Sequence, residues 1–358
     1  MNQGVLVVKA FLSGLCLLAL PVSALAADRG SSSRLDEKTI GPESTEAQET
    51  HAELVAYSEW VIEVDAAAAP ALDAIRQLSP EWRAMLASRT PVESAAKFTA
   101  FLDRADRVVA ESKARVVALP LVSVAHLDLG AEAQPAALRA EMTRMLDQVA
   151  TVFVAMRPMA KAVATRNAKA MEAGAAPMLA SVQALYRSQL AMTGAHVATL
   201  DEGDPARDSL MFDQLYFRSG LRILSTAQAM LSANSDPALA ADLVELADEM
   251  DGVIDRGLAN IDSSREEMLA TLEELGNDAE GRAARAMLDK TIAMEALFRD
   301  SFGVARAYAA AMRSAGKGLT TATPTMVRLQ PLLQQLRATR EQLDAVATRQ
   351  IEIMAETR

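Results

Sequence analysis

The chain has 358 residues, 51% of them hydrophobic, with only 14 aromatics, 71 alanines, 16 glycines and 13 prolines. That composition is helical and rich enough in apolar side chains for a sizeable core, which excludes collagen-like, proline-rich and wholly disordered classes. The formal charge of −11 leaves nothing to attract phosphates, so neither nucleic acid nor an anionic membrane surface is an expected partner.

In chain order, Lys9 leads into the uncharged stretch Ala10 to Val22, then Ser23-Ala24-Leu25-Ala26-Ala27 and polar Asp28-Arg29-Gly30. This is the pattern of a secretory signal peptide, residues 1–26, cleaved after Ala26, which places the mature chain in the periplasm or outside the cell. The alternative is an uncleaved signal anchor in the inner membrane. Cys16, the one cysteine, follows Leu15, where lipoprotein processing requires a small residue. Cleavage leaves no cysteine, which excludes disulfides, thiolate metal sites and a cysteine nucleophile together. No later apolar run is long and uncharged enough to span a membrane.

Residues 27–46 are rich in Ser, Gly and charge and are expected to be a flexible leader. Helix-start signals follow, each a capping residue and then Pro: Ser79-Pro80, Thr90-Pro91, Asp204-Pro205, Asp236-Pro237 and Thr323-Pro324. Thr90 with Glu93, and Asn277 with Glu280 after Gly276, match the reciprocal capping pattern. Helices are predicted at about 47–78, 80–88, 91–119, 135–172, 177–200 and 205–232, with Pro70 and Pro158 kinking or breaking theirs. The segment 119–130 (LPLVSVAHLDLG) reads as a loop or short extended connection.

From 237 to 275 the apolar row Leu243, Leu246, Met250, Val253, Gly257, Ile261, Met268, Leu272 and Leu275 advances by threes and fours, with Ser264 filling one slot. A second row holds Met287, Met294, Phe298, Phe302, Ala305, Ala309 and Met312. A third holds Leu329, Leu332, Leu336, Leu343, Val346 and Ile353. Such stripes are buried when long helices lie side by side. The expected fold is therefore all-α, of long antiparallel helices with coiled-coil-like character. They form either one elongated bundle or two tandem lobes, 47–203 and 204–358, divided at Leu200 to Pro205. On the acidic side of the first row, Asp248, Asp251, Asp255 and Asp262 form a ribbon, and Arg299, Arg306 and Arg313 recur every seventh residue where they can pair across to it.

Candidate sites are few. Met142, Met145, Met156 and Met159 share one helical face and are the soft ligands a Cu(I) site would use, although they equally fill a core row with Leu138, Val149 and Val152. His51, His126 and His196 fall in different segments, without the Glu-x-x-His or His-x-x-x-His spacing of zinc and di-iron bundles. In Gly194-Ala195-His196-Val197-Ala198-Thr199, Thr stands where a Gly-x-His-x-x-Glu metallopeptidase signature requires Glu. Glu295 falls near an apolar row and is a candidate buried acid. The densest aromatic patch surrounds Phe212 and Tyr216, which with Arg218 and Arg222 can line a pocket for a small anionic or aromatic ligand. Nucleotide-binding glycine loops and the Gly-x-Ser-x-Gly elbow are absent from the sequence, and no cofactor is implied.

The functional expectation is a non-catalytic binding or scaffolding protein of the cell envelope, possessing a protein partner or a small-molecule ligand and able to oligomerise. A metal-dependent or carboxylate-based envelope hydrolase is the alternative, and soft-metal binding is third.

Overall fold

The structure, a computed structural model, describes residues 45–127, 129–131, 134–197, 205–231, 236–274 and 279–319, with isolated helical positions between 334 and 349. The signal peptide, the leader to residue 44, Asp204, Gly276-Asn277, Thr323-Pro324 and the last leucine row lie outside the described residues.

The described chain is all-helical, without a strand: α1 Thr45–Ala87, α2 Pro91–Ala118, α3 Pro135–Ala164, α4 Ala168–Val197, α5 Pro205–Leu231, α6 Leu239–Glu274 and α7 Ala279–Leu319. They pack in tandem, each against the next, with further contact between α1 and α3 and between α5 and α7. At about 1.5 Å per residue, the 41-residue α7 is roughly 60 Å long. One contiguous apolar core runs from Tyr57 to Leu319. Two chains of aromatic rings thread it. Trp82, Phe98, Phe101 and Phe153 connect α1, α2 and α3. Tyr186, Phe217, Tyr216 and Tyr308 connect α4, α5 and α7. No helix among the described residues is long and apolar enough to cross a membrane.

Three expected boundaries move. Ser79-Pro80 does not start a helix, and α1 runs through both Pro70 and Pro80. Ile75, Leu78, Trp82 and Met85 are all buried, so one core stripe continues across the proline and outweighs the lost amide. Pro158 likewise sits within an unbroken α3. The break expected between residues 172 and 177 lies instead at 165–167. There Arg166 turns left-handed at φ 51°, its amide bonds the Val163 carbonyl, and the Asn167 amide bonds that of Ala162. The Asn167 side chain then accepts from the Ala170 amide at 3.0 Å and caps α4. Pro177 is inside α4.

Thr90-Pro91 and Pro205 do open helices. The reciprocal cap at Thr90 does not form: the Ser88 hydroxyl takes the Thr90 amide at 3.1 Å and Glu93 pairs with Lys97 at 2.8 Å. After Asp236-Pro237 the helix begins at Leu239. Residues 119–127 are non-helical, as the sequence suggests, and are fastened to α1 by Glu53, which accepts from Ser123 Oγ at 2.9 Å and from the His126 amide at 2.8 Å.

The charged ladder between α6 and α7 forms as its spacing predicts. Arg299 pairs with Asp262, Arg306 with Asp255, and Arg313 with Asp248 at 2.6 Å and Asp251 at 2.7 Å. Residue numbers fall by seven on α6 as they rise by seven on α7.

Candidate functional site

Of the four residues proposed for ligand binding, two face inward and two outward. Positions 216 and 218 are two apart, roughly 200° around a helix of 3.6 residues per turn, so one side of α5 cannot hold both. Phe212 and Tyr216 are buried. Tyr216 lies between Phe217 and Tyr308, with ring centroids at 5.8 and 5.5 Å. Tyr308 OH shares a 2.8 Å hydrogen bond with Ser219 Oγ, and complete burial pushes its phenol well above its ordinary value. Gly220 leaves room for the Tyr186 ring, against which any Cβ would press. These rings belong to the core.

Arg218 and Arg222 instead line a surface groove of about 420 Å³ between α5 and α6, with Leu221, Ser225, Asp242, Glu245, Leu246 and Glu249. Both guanidiniums are already engaged. Arg218 pairs with Glu249 at 2.6 Å. Arg222 donates to Asp236 Oδ1 at 2.7 Å and to Thr226 Oγ1 at 2.8 Å, and also pairs with Asp242 and Asp236 Oδ2. Thr226 Oγ1 bonds Asp236 at 2.7 Å. Three lining carboxylates against two guanidiniums make the groove acidic, and Glu245 has no ion-pair partner among the described residues. This lining is unsuited to a small anion and open to a cationic group laid along Leu221 and Leu246.

No family model, curated protein or solved structure matches the chain.

The Arg222 node has a testable electrostatic signature. Hydrogen bonds from Arg222, with help from Thr226 and the Ala238 amide, hold Asp236 down at about 2, from an ordinary 3.8. A carboxyl depressed on folding adds stability that is complete above the unfolded value and lost as pH falls through the folded one. Asp236→Asn is therefore expected to cost about 1 kcal/mol at pH 7 for this partly exposed cluster. The cost should fade between about pH 4 and pH 2, read from urea midpoints across that range. A pH-independent cost would contradict the assignment.

The methionines Met142, Met145, Met156 and Met159 are all buried along α3, among Leu138, Leu146, Val149, Val152 and Phe153. Met145 Sδ accepts a hydrogen bond from Gln189 Nε2, and Met159 Cγ occupies the space left by Gly174. Among the described residues no group of three or more His, Cys, Asp or Glu is arranged to hold a metal ion. His126 sits in the loop after α2, with Nδ1 3.3 Å from Glu53 and Nε2 3.6 Å from Glu49. The side chains of His51 and His196 lie outside the described residues.

Three further acids are buried, Asp65 on α1 among them. Asp208 accepts from Asn260 Nδ2 at 2.7 Å, with burial raising its carboxyl above the ordinary value. Glu295, singled out from its place beside the apolar row, is only 4% exposed, and desolvation raises it too. Sequence reasoning missed Asp208, Asp236 and Thr226. The one available signal was Asp236 preceding a proline as a capping residue, and its link to Arg222 crosses an interhelical joint that carries no periodic pattern.

Proposed function

We propose that this chain is an exported, non-catalytic scaffolding or binding protein of the cell envelope. In this reading residues 1–26 are a signal peptide removed after Ala26, and the helices form an antiparallel bundle with lobes at 47–203 and 204–358. The observation that carries the reading is the ladder of Arg299, Arg306 and Arg313 on the α6 aspartates. Its charges are satisfied within the chain at heptad intervals, which assigns these residues to holding two long helices side by side. One aromatic chain stays within the first lobe, among α1–α3, and the other runs from Tyr186 on α4 to α5 and α7 and so joins the two lobes across their boundary. The groove between α5 and α6, with Glu245 on its rim, is the surface offered to a cationic ligand or a basic segment of a protein partner.

Native mass spectrometry of the untagged protein from its own compartment tests this. The expected mass begins at Ala27 and carries a ligand or a stoichiometric partner that Glu245→Lys releases. A mass that retains residues 1–26 overturns the processing, and an adduct indifferent to Glu245→Lys overturns the groove.

A further inference from the structure

The seam between α6 and α7 is built in layers one heptad apart. On α6 the layer positions are Leu243, Met250, Gly257 and Ser264, and on α7 they are Glu295, Phe302, Ala309 and Gly316. Phe302 sits over Gly257, and Gly316 lies against Ala240 and Val244. One heptad outward from Phe302, Glu295 faces Ser264. Every other layer is apolar or glycine, so this one places a carboxyl where a side chain like Phe302 belongs.

Three observations make Glu295 more than a polar layer that sets register. It is 4% exposed, and its carboxyl oxygens have the Ser264 hydroxyl near them but short of full hydrogen-bond geometry. It also marks an edge. Ile261 is the last buried residue of α6 and Glu295 the first of α7 among the described side chains, and the described side chains beyond them are exposed or half-buried, Leu269 at 44%. Finally, its charged surroundings do not neutralise it. Asp262 and Arg265 face it from α6 and Arg299 from its own helix, but Arg299 is already paired with Asp262, and Arg265 is exposed and makes no ion pair with it. A buried carboxylate without a partner costs far more than the neutral acid, so ionisation and pairing of the helices compete at this layer.

We propose that Glu295 is a proton-operated catch: protonated, it lies in the seam and keeps the outer parts of α6 and α7 paired, and ionised, it loosens residues 262–274 and 279–295 while the inner layers stay closed. The direction follows from linkage. Burial makes the folded chain hold this proton more tightly than the unfolded chain, so the contribution to pairing is full below the ordinary 4.5 and is lost as pH rises through the raised value.

Hydrogen exchange of the full chain, corrected for intrinsic exchange rates, reads this out at about pH 5 and pH 8. Protection in peptides covering 262–274 and 279–295 is expected to fall about tenfold or more with rising pH, while α3 peptides stay unchanged. Glu295→Gln should keep the protected state at both pH values. Ser264→Ala, which removes the hydroxyl that favours the charged form, should move the transition to higher pH. Wild-type protection that is equal at both pH values overturns the proposal, as does a fall that survives Glu295→Gln or a midpoint that ignores Ser264→Ala.

Discussion

Trp82→Ala is expected to lower the stability of the chain by about 3–5 kcal/mol, the range for removing a fully buried large aromatic. Trp82 has no exposed surface, and its ring meets Phe98 edge-on at 5.3 Å. Phe98 stacks on Phe101 at 5.9 Å, which in turn meets Phe153 at 6.3 Å. Truncation therefore opens a cavity at the root of a column joining three helices, whose neighbours are rigid rings that collapse poorly into the space. Trp82→Phe should cost far less, about 1 kcal/mol. It retains most of the ring, and it also removes an indole N–H that is buried without a hydrogen-bond partner. Denaturant midpoints of the two variants decide the matter, and a loss below about 1 kcal/mol for Trp82→Ala would show that the column does not carry the packing of α1 on α2.

Gly316→Ala is expected to cost about 3 kcal/mol, although alanine is the better helix former. A Cβ at this position would stand 2.7 Å from the Ala240 carbonyl oxygen and 2.8 Å from Val244 Cγ2. Main chain cannot rotate away as a long side chain does, so α6 and α7 must separate locally. Two glycines on the same helix serve as controls. A Cβ at Gly303 or Gly318 meets nothing within 4 Å, so Gly303→Ala should stabilise by about 0.5–1 kcal/mol through helix propensity alone. Thermal midpoints moving the same way for Gly303→Ala and Gly316→Ala would refute the close approach.

The ladder between α6 and α7 is legible in the sequence because Asp248, Asp255, Asp262 and Arg299, Arg306, Arg313 all repeat at the same interval, and matching repeats on adjacent helices meet. Helix ends were harder. At Pro80 a local stop signal competed with a core stripe from Ile75 to Met85, and burial prevailed. At Gly174 and Pro177 the same occurred, since Met171, Ala175, Met178 and Val182 carry one buried face through both residues. The real break relied on the Asn167 side chain, a single polar residue in an alanine-rich run. The division of Tyr216 from Arg218 and Arg222 was available from helical angles alone. The joining of Arg222 to Asp236 was not, because it depends on how the chain turns between α5 and α6.

Charges repeating every seven residues leave more than one way to mate two helices. If α7 slid by one heptad, Arg299 would reach Asp255 and Arg306 would reach Asp248, so two of the three rungs would re-form and the electrostatics would scarcely distinguish the shifted state. The same slide lifts Phe302 out of the notch at Gly257 and drives it onto Met250. The salt bridges thus behave like an evenly toothed rack that accepts several positions, while one ring and one missing side chain form the single uneven tooth that admits only one.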